Sequence, residues 1–107
     1  MLDLVVKLSN VKKDQKVLDI GCGTGLLSLK FLEKAECFIT GIDRSPEMLT
    51  IFNEKIKKRG LSERINCKLE DAKILKFNRN SFDVVASTVT LHHLKNKYPT
   101  IKRYMIS

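Results

Sequence analysis

Between Val17 and Gly25 the chain reads V-L-D-I-G-C-G-T-G, and no other stretch restricts the possible folds so severely. Val17, Leu18 and Ile20 surround Asp19, glycines stand at three alternate positions, and an apolar helical pattern begins at Leu26. Such a run predicts a buried strand turning sharply into a helix. Gly21, Gly23 and Gly25 carry no Cβ, so a ligand can lie against the main chain and the next helix can pack close to the strand. The helix N-terminus beyond offers N–H groups to carboxylate, ribose or phosphate oxygens. A ligand-free glycine turn would give up chain entropy with no return in packing, which favours a nucleotide-like cofactor.

The spacing narrows the choice of cofactor. The dinucleotide fingerprint is G-x-G-x-x-G, whereas here the third glycine comes one place early and Leu26 holds its slot. No Gly-Lys-Ser/Thr follows, which excludes a P-loop. With Asp19 two residues before the first glycine, the stretch resembles the first motif of class I S-adenosylmethionine-dependent methyltransferases. That resemblance implies that the loop Gly21, Cys22, Gly23, Thr24 and Gly25 passes under the methionine portion of the cofactor. It also implies that Asp19 helps hold the cofactor's ammonium group.

Asp43 closes the next apolar run, 18 residues after Gly25, near the separation of about 20 expected of a ribose-binding carboxylate. By itself this does not separate nicotinamide from adenosylmethionine, since both carry a ribose diol. The surrounding G-I-D-R-S-P-E-M-L resembles the second methyltransferase motif, which brings Asp43, Arg44 and Met48 into the expected cofactor site and lets Ile42 and Met48 frame the adenine. Glu70-Asp71-Ala72 follows the third strand, where the resemblance implies an acidic contact to the adenine amino group from Asp71, with Ala72 beside it. A nicotinamide enzyme has no need of that carboxylate. Phe82-Asp83-Val84-Val85 opens the fourth strand with Asp83 in a structural role. Beyond it, Leu91-His92-His93-Leu94 resembles a stretch of many small-molecule methyltransferases. Either His92 or His93 suits general-base work near neutral pH, against a plain role in the pocket wall. No third ligand of suitable spacing makes them a metal site.

The remaining pattern alternates strand and helix. A short helix over 2–9 is expected with Leu4, Val5 and Leu8 inward, and another over 24–34 with Leu27, Phe31 and Leu32 on its buried face. A strand over 37–42 precedes a clear helix start at Ser45-Pro46-Glu47, and Gly60 ends that helix. Strands over 65–69 and from 82 toward 90 follow, joined by a stretch of little apolar period. This predicts a single α/β domain over 1–107, a Rossmann-like open parallel sheet of order 3-2-1-4 with flanking helices on both faces. The resembled fold has seven strands ordered 3-2-1-4-5-7-6, so the chain reads as a truncated methyltransferase fold with a basic tail over 95–107. Its fourth strand is then expected to be an open edge that self-associates or takes a partner chain.

Composition adds limits. The net charge of +8 invites an RNA partner, yet the basic residues are scattered, and Lys55, Lys57, Lys58 and Arg59 complement a helix C-terminus. The family resemblance implies methyl transfer to a small-molecule acceptor ahead of RNA or protein. No apolar run of about 18 residues exists to span a membrane. The start Met1-Leu2-Asp3-Leu4 has no basic leader, and three cysteines without C-x-x-C spacing fit a reduced, cytoplasmic chain.

Overall fold

A computed structural model describes residues 2–70, 82–87 and 103–105. Helix α1 (Leu2–Ser9) precedes strand β1 (Lys16–Ile20), α2 (Leu26–Lys34), β2 (Phe38–Asp43), α3 (Pro46–Lys58) and β3 (Ile65–Leu69), and then come β4 (Val84–Ser87) and β5 (Arg103–Met105). The sheet runs β3-β2-β1-β4-β5, and every neighbouring pair is parallel. The expected order 3-2-1-4 is therefore present, with one strand added. Because Val85 to Ser87 pair with Arg103 to Met105, β4 is not an edge, and the expected open flank there is corrected. That segment offered no apolar alternation to reveal it as a strand.

Strand register sorts the side chains. Val17 pairs with Ile39 and Val84, Asp19 with Gly41 and Ala86, and Ile39 with Ile65. These residues share one face, because register partners in a parallel sheet point the same way. Val17, Ile39, Ile65, Val84 and Ala86 pack there in one core with Val5 and Val6 of α1, Leu27 and Phe31 of α2, and Leu49, Phe52 and Ile56 of α3. All the described helices thus cover one face. On the other, Leu18, Ile20, Ile42 and Val85 are also buried, while the helices expected over it lie outside the described residues.

Sequence chemistry accounts for the helix ends. Ser45 Oγ accepts from Met48 N at 3.3 Å, and Pro46 occupies the first helical turn of α3. At the other end Leu61 N donates to Ile56 O at 2.9 Å and Gly60 N to Lys57 O at 3.2 Å. This paired closure requires the left-handed backbone that Gly60 supplies at φ 66°. In α1 the inward face is Val5, Val6 and Ser9, whereas Leu4 and Leu8 are 56% and 59% exposed, which corrects the expected orientation. The stripe Leu2, Val5, Val6, Ser9 follows i, i+3, i+4, i+7, and Leu4 and Leu8 fall beside it.

The two ends of the sheet are held differently. At the N-terminal end of the strands, Arg64 Nη1 donates to Asp14 Oδ1 at 3.0 Å and to Glu36 O at 2.9 Å, and its guanidinium lies 4.4 Å from the Phe38 ring centroid. Asp83 Oδ2 accepts from Lys16 N at 2.8 Å, and Asp83 N donates to Lys16 O at 2.8 Å. That reciprocal pair locks β4 to β1 and bears out the structural role expected of Asp83. The C-terminal end is left to the glycine loop.

Candidate functional site

Open parallel sheets bind ligands beyond the carboxyl ends of their strands, and there the glycine loop lies. Gly21 N and Cys22 N both donate to Ile42 O, at 2.8 and 3.0 Å, so the loop is stitched to the end of β2. Gly25 N then donates to Cys22 O at 2.9 Å, closing a tight turn into α2. Gly21, Gly23 and Gly25 all have positive φ, at 72°, 56° and 90°, so all three need glycine's backbone freedom.

Their spatial roles differ. A Cβ on Gly25 would lie 2.3 Å from Cε1 of Phe52, so this glycine exists to let the α3 aromatic pack beneath the loop. A Cβ on Gly23 would meet nothing within 4 Å. Gly23 is thus the position where the main chain is open to a ligand. Gly41 on β2 makes a further gap, since its Cβ would sit 2.9 Å from Cys22 Sγ and 3.2 Å from Phe52 Cε2.

Asp43 binds the loop as well as facing the site. Its Oδ2 accepts from Gly23 N at 2.8 Å and its Oδ1 from Ser45 N at 2.9 Å. Each carboxylate oxygen retains a second lone pair, so a vicinal diol can still be accepted. Arg44 and Met48 flank this corner and are exposed, Met48 by 44%. Thr24 is half-buried in the loop. Burial pushes the Cys22 thiol well above its ordinary range, with the charges of Asp19 and Asp43 adding to the effect. Cys22 is therefore an inert wall residue rather than a nucleophile.

Asp19 is the exceptional group. It is 0% exposed and stands between Gly41 and Ala86, neither of which offers a polar side chain. Ser28 Oγ donates to its Oδ2 at 2.6 Å, while Oδ1 has no hydrogen-bond partner among the described residues. Burial raises the carboxyl from 3.8 to about 7; the Ser28 hydroxyl and backbone N–H oppose the rise and the Asp43 charge adds to it. A buried acceptor left unsatisfied costs about 1–3 kcal/mol, and such groups concentrate where function demands them. Helix α2 begins above it with no side-chain cap at Gly25 and no acidic residue in its first turn, so the Asp19 carboxyl, through Ser28, is what meets its positive end among the described residues.

The methyltransferase-domain family matches residues 17–105, most of the chain and all of this site. The chain belongs to the class I S-adenosylmethionine-dependent methyltransferase family. This methyltransferase domain is 36% identical over 92 residues to phosphoethanolamine N-methyltransferase 1 of Arabidopsis thaliana, covering 86% of the chain and 18% of the relative. Phosphoethanolamine N-methyltransferase 2 of Haemonchus contortus, solved in complex with S-adenosyl-L-methionine, has a TM-score of 0.75 and 30% identity over 88% of this chain and 22% of that one. The structure of the cyclase SpnF has a TM-score of 0.77 and 32% identity, over 84% of this chain and 33% of that one. The chain thus spans a third or less of the length of each of these proteins.

Of the residues singled out by sequence, Asp19, the loop from Gly21 to Gly25, and Asp43 come together, with Arg44 and Met48 at the rim. Asp71, Ala72, His92 and His93 lie outside the described residues. Ser28, Phe52 and Gly41 were not singled out. The signal for Ser28 was a lone polar residue between Leu27 and Leu29 on an otherwise apolar helix face. Among the described residues no cluster of His, Cys, Asp or Glu could hold a metal ion, and no helix is long and apolar enough to cross a membrane.

Proposed function

We propose that this domain binds S-adenosylmethionine across Asp19, the Gly21–Gly25 loop and Asp43, and serves methyl transfer to a small molecule. The observation that carries the reading is Asp19, a buried carboxyl whose Oδ1 has no partner among the described residues. An acceptor held ready at such a place suits a cationic donor, and the cofactor's methionyl ammonium is one. Oδ1 is closed to solvent, so the ammonium meets it after a small shift of the overlying loop or through one bridging water. Gly23 gives the remainder of that portion room against the main chain, and Asp43 accepts from the ribose diol while holding the loop amide. In the family pattern Asp71 and Ala72 meet the adenine.

Bound there, the cofactor supplies an activated methyl, which the acceptor's lone pair takes as the carbon–sulfur bond pair returns to sulfur. The chain's task is alignment and exclusion of water, and His92 or His93 takes the proton if the acceptor must shed one. Support for a small acceptor comes from the two phosphoethanolamine N-methyltransferases among the similar proteins; RNA and protein acceptors stand behind it. Three free cysteines favour a reducing, cytoplasmic setting.

Calorimetric titration of the chain with S-adenosylhomocysteine and NAD tests the cofactor, and mass spectrometry of small amines incubated with S-adenosylmethionine tests the transfer. Tight NAD binding with no response to S-adenosylhomocysteine would overturn the reading. Binding without methylated product is the outcome expected of a second reading, a cofactor-binding module with no transfer of its own. Similarity to the cyclase SpnF supports keeping that second reading.

A further inference from the structure

Residue Ser28 has no assigned part in the site, yet its placement is unusual. It is fully buried in the first turn of α2, where a serine hydroxyl is ordinarily free to face solvent or a nearby backbone group. Instead it donates to Asp19 Oδ2 at 2.6 Å, a charge-assisted geometry when the carboxyl is ionised. Among the described residues no other side chain hydrogen-bonds to Asp19. Gly41 and Ala86 flank it on the adjoining strands, and Oδ1 is left without a partner.

We infer that Ser28 is the positioning residue of the ammonium subsite: its hydroxyl holds Oδ2 of Asp19, so that Oδ1 alone is presented to the cofactor's cationic group. This rests on the cofactor reading above and deepens it. The charged or titratable groups facing Asp19 are Asp43 from β2, whose charge disfavours ionisation of Asp19, and Cys22 from the loop, whose thiol stays neutral. Ser28, from α2, favours the ionised form that an ammonium requires. Cofactor uptake at acidic pH therefore expels a proton from Asp19, and loss of the Ser28 hydroxyl makes that expulsion harder.

The test compares two ligands on the full chain by calorimetry across the neutral pH range. S-adenosylhomocysteine carries the ammonium, whereas 5′-methylthioadenosine lacks that whole arm of the molecule. Ser28→Ala should weaken S-adenosylhomocysteine about 10-fold at neutral pH, with the deficit shrinking as pH rises and Asp19 ionises. Binding of 5′-methylthioadenosine should be unchanged, and Ser28→Thr, which keeps the hydroxyl, should recover most of the loss. Equal weakening of both ligands, or a deficit that does not change with pH, would overturn the inference and leave Ser28 as packing. If Ser28→Ala does not fold, Ser28→Cys serves in the same comparison, its weaker donor giving a smaller loss of the same pattern. A wild-type chain that binds neither ligand refutes the cofactor reading itself, whereas binding of both with no Ser28 effect refutes only the inference.

Discussion

Asp19→Asn should stabilise the cofactor-free protein while weakening its hold on the ligand, and the gain should grow with pH. The folded carboxyl titrates at about 7 against 3.8 for the ordinary group. Between those values the folded state holds a proton that the unfolded state has lost, so stability falls as pH rises. At about 1.4 kcal/mol per pKa unit, the shift from 3.8 to about 7 amounts to as much as about 4 kcal/mol, complete above pH 7 and absent well below pH 4. Asparagine is never charged, and its oxygen can accept the Ser28 hydroxyl. Its amide, left where Oδ1 has no partner, costs about 1–3 kcal/mol at all pH values. The net gain above neutrality is therefore about 2 kcal/mol. The stability difference between variant and wild type should grow by about 3 kcal/mol from pH 5 to pH 8, a shift of about 1–2 M in urea midpoint. Urea melts of both proteins at the two pH values measure this, and taking the difference cancels every other titrating group. A difference that stays constant with pH, or shrinks as pH rises, would refute the claim that burial holds Asp19 neutral.

Gly25 and Gly23 should differ in what a Cβ costs, stability chiefly at the first and ligand affinity chiefly at the second. Gly25→Ala forces a Cβ onto the Phe52 ring and should lose about 2–4 kcal/mol to overpacking and left-handed strain, seen as a lower melting temperature and lost ligand binding. Gly23→Ala meets no protein atom and should cost only about 1–2 kcal/mol of strain, yet weaken S-adenosylhomocysteine in calorimetry by filling its space. Asp43→Ala removes the acceptor of Gly23 N and Ser45 N and should weaken the same ligand by about 1.5–3 kcal/mol; unchanged affinity would remove Asp43 from the site. Arg64→Ala, at the far end of the sheet, should lower stability by about 1–2 kcal/mol in urea melts and leave ligand affinity where it was.

Local signals in the sequence carry much of this fold. The start of α3 at Ser45-Pro46, its end at Gly60, the span Ile65–Leu69 of β3 and the adjacency of β1 with β4 all follow from short-range patterns that the structure repeats. The inward face of α1 did not, because an eight-residue helix with five apolar positions has two plausible stripes and only the neighbouring elements choose between them. Strand β5 is three residues long, basic at its start and without alternation, so nothing local marks it. In the candidate site, the convergence of Asp19, Gly23 and Asp43 was legible from spacing. The distinct task of Gly25 was not, since it is set by Phe52, a residue distant in sequence that reads only as core. The unpartnered Oδ1 of Asp19 was equally hidden, because composition cannot tell which buried acceptors go unsatisfied.

Phe52 lies under Gly25 and over Gly41 at once, while also filling the core between α3 and the sheet. The glycine loop consequently has no melting behaviour of its own. Any fluctuation that lifts α3 takes away the floor on which the loop turns, so amide exchange in residues 21–25 should track the opening of α3 rather than the rapid exchange of ordinary surface turns. It also follows that positions 25, 41 and 52 form one inheritable unit: a larger residue at either glycine is tolerated only alongside a smaller ring partner. A search for hardier variants that repacks Phe52 would alter the ligand's seat in the same step.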